Sequence, residues 1–152
     1  NMDYADDIVK NVTEELRQMI KDGTIRKATG GKIKDSVVSV SVDKSNGKLY
    51  YGISGHKNPT RRADDDTAQW LAKRLQEEKS AWEANKEIMG NEYVAFYYLD
   101  NCGEFNAVNT ALRDGANYKN LWLYSLNIEE GCFVKPCNNC KHMYDGYMNF
   151  ID

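Results

Sequence analysis

Proline is almost missing, with 2 residues in 152, and cysteine is sparse, with four. Neither count suits a loop-rich secreted scaffold stapled by disulfides. No apolar run approaches the roughly 18 residues of a membrane span. The first ten residues carry Asp3, Asp6 and Asp7, where a secretory leader would be basic and then apolar. Internal repeats, low-complexity stretches and a convincing linker are all lacking. Excess positive charge is lacking too: 20 Lys and Arg against 23 Asp and Glu give a net −3, which argues against a general nucleic-acid glue.

What is present is an ordinary globular composition, 41% hydrophobic and 28% charged, which excludes wholesale disorder. A chain of 152 residues fits one domain and can bury a core unaided. Residues 1–152 are expected as that single domain, with 1–35 as an N-terminal helix and loop extension. The charge is unevenly spread. Lys21 to Arg62 holds ten Lys and Arg against three acids, a net +7, which leaves −10 for the rest. Such a stretch can grip phosphates or can be a solvated face.

Ile8, Val12, Leu16, Met19 and Ile20 recur at helical intervals, predicting a helix over 4–20 that ends near Gly23. Thr29-Gly30-Gly31 reads as a loop. Val37, Val38, Val40 and Val42 alternate with serines as a strand. Asn46-Gly47 reads as a hairpin turn whose two central residues both need positive φ. Leu49, Tyr50, Tyr51 and Ile53 form the return strand. His56 to Arg62 is a basic loop. Asp64 to Asp66 and Thr67 start a helix, with the acids where its dipole favours them. Trp70, Leu71, Leu75 and Trp82 mark its buried face to about Met89. Tyr93 to Leu99 fits strand or helix. Phe105 to Leu112 reads as a helix stopped at Gly115, Leu121 to Ile128 as a strand, and Cys140 to Tyr147 as a helix. The order implies an α/β layered domain with a mixed sheet.

The chemistry concentrates in three cysteines and one glutamate. Cys102 of Cys102-Gly103-Glu104 lies 35 residues before Cys137 of Pro136-Cys137-Asn138-Asn139-Cys140. A Cys-x-x-Cys pair alone serves zinc or dithiol redox chemistry. Three thiols, two of them at a helix start, suit a tetrahedral zinc with one open position. A purely structural zinc has no use for a carboxylate two residues after a ligand. A hydrolytic one does, because a carboxylate can shuttle the proton of a metal-activated water. Three thiolates leave the site with one net negative charge, which throws more proton handling onto Glu104. Cys132 reads as a free thiol at a strand end; as a fourth ligand it would instead close the site.

Asn101-Cys102-Gly103-Glu104-Phe105-Asn106-Ala107, Ala111-Leu112, Gly115-Ala116, a strand, and Lys135-Pro136-Cys137-Asn138-Asn139-Cys140-Lys141-His142 together resemble the YwqJ-like deaminases. This family belongs to the cytidine deaminase-like superfamily and commonly forms the toxin domain of bacterial polymorphic toxins. The match covers Leu99 to Asp145; the hairpin ending Tyr50-Tyr51-Gly52-Ile53-Ser54-Gly55 is similar more loosely. The resemblance implies a three-layer fold, a mixed central sheet flanked by helices. It implies Zn2+ held by Cys102, Cys137 and Cys140, with Glu104 as the proton shuttle and not a ligand, as in zinc nucleobase deaminases generally. It implies hydrolytic conversion of cytosine to uracil in nucleic acid, with DNA favoured, single- or double-stranded, and RNA as another candidate. The implied partner is a cognate immunity protein. The chain would be a monomer with no membrane association, exported as the tail of a larger toxin and acting in the cytoplasm of the target cell. Twelve residues follow Cys140, so the last strands usual in the superfamily are expected to be short, absent or cut off.

Tyr51 and Ser54, at the strand end that borders the pocket in relatives, are candidate substrate contacts, and so is Asn101 beside the first ligand. His56, Arg61 and Arg62 are candidates for holding phosphates, with an ordinary exposed loop as the plain reading. Tyr50, Tyr97, Tyr98, Tyr118 and Tyr124 can stack bases or serve as core and rim. His142 reads as a helix-surface residue. Two other readings stay open: a free cytidine or nucleotide deaminase, and a non-catalytic zinc-stabilised binding module closed by Cys132.

Overall fold

The computed structural model describes residues 14–19, 21–23, 37–52, 67–89, 102–127, 130, 132–136 and 138–150. A helical stretch, α1 (residues 14–19), is followed by β1 (Val37–Asp43), β2 (Leu49–Gly52), α2 (Gln69–Met89), α3 (Gly103–Arg113), β3 (Leu121–Asn127), β4 (Cys132–Val134), α4 (Asn138–Tyr144) and β5 (Asn149–Phe150). The fold is α/β, with a mixed five-stranded sheet. β1 runs antiparallel to β2 on one side and to β3 on the other, in register from Val37↔Asn127 to Asp43↔Leu121. The other edge of β3 is divided. Antiparallel β4 takes Ser125 to Asn127, and parallel β5 takes Trp122 and Leu123.

Strand alternation sorts the core into two layers. Val38, Val40, Val42, Tyr124 and Leu126 point to one face and pack with Leu16 of α1. Leu121, Leu123 and Tyr50 point to the other, where they meet Phe105, Ala107, Val108 and Ala111 of α3, Leu71 and Leu75 of α2, and Cys140, Met143 and Tyr144 of α4. The sheet thus lies between α1 and the three later helices. Among the described residues, no helix is long and apolar enough to cross a membrane.

Several local expectations change in detail. In the hairpin turn Gly47 alone has positive φ, at 75°, and Asn46 does not. The loop holds four residues: the Asp43 amide donates to the Lys48 carbonyl at 2.9 Å, and the Gly47 amide donates to the Asp43 carbonyl at 2.7 Å. A longer hairpin loop needs only one residue in the left-handed region. α2 begins at Gln69 with no acid in its first turn. The Ala68 amide just before it donates to Asn109 Oδ1 of α3 at 2.8 Å, so this helix start is satisfied from another helix. α4 runs from Asn138 to Tyr144, earlier at both ends than Cys140 to Tyr147. Gly146 at φ 85° follows its end.

α3 ends as expected. Gly115 has φ 95°, its amide donates to the Leu112 carbonyl, and the Ala116 amide donates to the Ala111 carbonyl, both at 3.1 Å. That pair of bonds is a Schellman stop. The predicted segments at 4–13, Thr29 to Gly31, His56 to Arg62, Asp64 to Asp66 and Tyr93 to Leu99 lie outside the described residues.

Candidate metal centre

The start of α3 is seated on the sheet by residues with almost no side chain. A Cβ at Gly52 would overlap the Gly103 carbonyl oxygen and the Ala107 amide nitrogen, and a Cβ at Gly103 would stand 2.6 Å from Ser39 Oγ. The Ser41 hydroxyl donates to the Ala107 carbonyl at 2.8 Å. Two glycines and two serines therefore let the helix backbone lie directly against β1 and β2. This contact sets where Cys102, the N-cap residue, and Glu104, in the first turn, point.

α4 meets them from the side. Arg74 of α2, 4% exposed, donates from Nε and Nη2 to the Met143 carbonyl at 3.0 and 2.9 Å. Its Nη2 also reaches the His142 carbonyl at 3.4 Å. The end carbonyls of α4, which no helical amide can serve, are thus held by a buried guanidinium. Glu77 and Glu78 pair with that guanidinium, and the Tyr147 ring lies over it at 4.6 Å.

The result is a compact group. Cys102 Sγ and Cys140 Sγ are 2.9 Å apart. Cys140 Sγ lies 3.5 Å from Glu104 Oε2. One ligand atom from each of the three residues lies within 4.8 Å of the other two, and the group could hold a metal ion. Two thiolates on one zinc stand about 3.8 Å apart in tetrahedral geometry, so the sulfurs must part slightly to admit one. Thiolate donors favour soft or borderline ions such as copper(I), zinc and iron over magnesium or calcium. One buried atom fits the same reading. The Tyr144 hydroxyl has no hydrogen-bond partner among the described residues. Burial first, and then the charges of Cys102, Cys140 and Glu104, push this phenol well above its ordinary pKa. It stays protonated beside the sulfurs.

Glu104 is held from below as well. The Ser125 hydroxyl donates to Glu104 Oε1 at 2.9 Å, and Ser125 Oγ is 2.7 Å from Ser39 Oγ. The two carboxylate oxygens therefore differ: one faces hydroxyls in the sheet, the other faces a thiol.

Of the residues singled out by sequence, the structure brings together Cys102, Glu104 and Cys140. Cys137, Asn101, Ser54, His56, Arg61 and Arg62 lie outside the described residues, as does the Cys132 side chain. Tyr51 is half-buried and packs with the cluster around Leu16. That is the face of the sheet away from Glu104, because Gly52 and Tyr50 take the α3 side. Tyr50 is buried and its hydroxyl donates to Asp114 at 2.7 Å. Tyr118 stacks on Trp70 at 4.3 Å, and Tyr124 meets the Phe133 ring edge-on at 5.7 Å. These rings are spent on packing. An open groove of about 520 Å3 between Lys48, Tyr50, Thr110 and Arg113 lies at the far end of α3 from the metal group.

Sequence reasoning missed Ser39, Ser125, Arg74 and Tyr144. The Val-Ser-Val-Ser-Val alternation of β1 was the available signal for the serines, but alternation reports a strand and not what lies on its polar side. Comparison with protein families, curated proteins and solved structures finds no match.

Proposed function

We propose that the chain is a zinc-dependent deaminase of the cytidine deaminase-like kind, converting cytosine to uracil in nucleic acid, with DNA favoured. The observation that carries the reading is the placement of Glu104: a carboxylate in the first turn of α3, one oxygen facing the Cys140 sulfur and the other tied to Ser125. A metal that only braces the fold needs no such group. Zinc, when bound by Cys102, Cys140 and Cys137, supplies the Lewis acidity that makes water a nucleophile near neutral pH. Glu104 Oε2 takes the proton of the attacking water and returns it to the departing amino nitrogen. The C4–N bond of cytosine breaks, a C4–O bond forms, and ammonia leaves. The hydroxyl-bound Oε1 fixes the direction from which the proton is taken.

The wider setting belongs to the same proposal. The net +7 of residues 21–62 supports a polymeric phosphate substrate, whose binding weakens steeply with salt. The resemblance to toxin deaminases supports a role as the toxin tail of a larger exported bacterial protein, acting in a recipient cytoplasm and neutralised by a cognate immunity protein.

The test is a deamination panel of single-stranded DNA, duplex DNA, RNA and free cytidine, with Glu104→Ala as control. Base conversion in a polymer is expected, falling at least about 100-fold in Glu104→Ala while bound zinc stays stoichiometric. Conversion of free cytidine alone would move the assignment to nucleoside chemistry. No conversion of any cytosine by zinc-loaded, folded protein would sink it.

A further inference from the structure

Nothing in the distances alone keeps Glu104 off the metal. Its Oε2 is 3.5 Å from Cys140 Sγ, it belongs to the same 4.8 Å group as the two sulfurs, and carboxylates are ordinary zinc ligands. A carboxylate that took the open position would end any chemistry there.

What opposes it is the hydroxyl pair beneath. Ser39 and Ser125 are direct cross-strand partners on β1 and β3, and both are buried, at 2% and 4% exposure. A hydroxyl has one proton to give. Ser125 gives its own to Glu104 Oε1, so the 2.7 Å contact between the serines is donated by Ser39. Two buried hydroxyls thus point their protons in sequence toward one carboxylate oxygen. Elsewhere on this face of β1 and β3 the same positions carry Leu121 and Leu123, which fill the core, and Ser41, which bonds the helix backbone. The Ser39–Ser125 pair, by contrast, is hydrogen-bonded to a member of the metal group.

We propose that Ser39 and Ser125 are positioning residues that tether Glu104 by Oε1 and hold it out of the metal's coordination sphere, leaving it free to handle protons. The inference rests on the metal reading above but not on the identity of the substrate. It predicts that removing the tether turns Glu104 into a ligand.

The test is a double-mutant cycle on cobalt(II) affinity in the full chain, followed by the thiolate-to-cobalt and d–d absorption bands. In the parent protein Glu104→Gln should shift the cobalt dissociation constant by less than about threefold, because the carboxylate is not a ligand. Ser39→Ala/Ser125→Ala should bind cobalt about tenfold more tightly, with altered d–d bands, and adding Glu104→Gln should erase the gain. Removing both hydroxyls together leaves neither orphaned in the sheet. Should that pair fail to fold by circular dichroism, Ser125→Ala alone gives the same cycle. Ser125→Thr, which keeps the hydroxyl, should behave as the parent. If Glu104→Gln has the same effect with and without the serines, the tether is refuted while the metal site stands. If the parent shows no cobalt–thiolate bands at all, the metal reading itself falls, and the tether with it.

Discussion

On one face of the sheet Val38, Val40, Val42, Tyr124 and Leu126 meet Leu16 of α1. On the other, Ser39, Ser41 and Gly52 meet the backbone at the start of α3. The first face is large side chains filling space. On the second, beside the core that Leu121, Leu123 and Tyr50 help to fill, a patch of small side chains removes volume instead, so that a helix can be brought against strands by direct backbone contact. The difference separates two jobs. Apolar volume stabilises the sheet and tolerates modest repacking. The glycine and serine seat contributes little burial but determines where Cys102 and Glu104 stand.

Substitutions on each face should break this comparison in opposite ways. Gly52→Ala should have the largest effect, because the new Cβ meets backbone atoms of α3 that cannot rotate aside. A loss of more than about 3 kcal/mol is expected in urea unfolding, together with loss of metal binding. Leu16→Ala should come next. It removes a side chain with no exposure at all and should cost about 2–5 kcal/mol, while metal affinity of the folded protein stays within about threefold of the parent. Should Leu16→Ala disturb the metal as much as the fold, the two faces are not separate.

The smallest effect belongs to the other end of α3, where the exposed Asp114 carboxylate is tied to the hairpin. The Lys48 ammonium donates to Asp114 Oδ2 at 2.7 Å, alongside the Tyr50 hydroxyl. The bond from Lys48, then that from Tyr50, then the Lys48 charge hold the Asp114 carboxyl below its ordinary pKa. A carboxyl with a lowered folded pKa stabilises the fold above its unfolded value and loses that contribution as pH falls through the folded one. Asp114→Asn should therefore slightly flatten the acid limb of a stability–pH profile and leave neutral-pH metal binding unchanged. Between exposed partners the effect is minor.

The sequence made some of this legible and hid the rest for physical reasons. The readings of Val37 to Val42 as strand, Phe105 to Leu112 as helix and Leu121 to Ile128 as strand correspond to β1 (Val37–Asp43), α3 (Gly103–Arg113) and β3 (Leu121–Asn127), with Ile128 outside the described residues. The Gly115 stop was readable because its signal is local. The pairing of Cys102 with Cys140, 38 residues apart, was readable through motif chemistry. What could not be read depends on contacts between distant segments. Asn109 satisfies the start of α2, and Arg74 holds the end of α4. Ser39 and Ser125 are unremarkable as residues; only the register of β1 on β3 sets them side by side under Glu104. Tyr51 was favoured because it ends a strand near the pocket, but a period of two sends it to the opposite face from Gly52.

The seat of α3 also limits how such a chain can drift over generations. At position 52 the obstacle is main chain, so no side-chain change elsewhere can make room for anything but glycine. At position 103 the nearest atom is Ser39 Oγ, so a larger residue there requires a smaller one at 39, and that change would withdraw a hydroxyl from beneath Glu104. The turn bearing Cys102 and Glu104 is therefore bound in heredity to Gly52 and Ser39, which precede Gly103 by 51 and 64 residues. A record of descent should show these positions changing together or not at all.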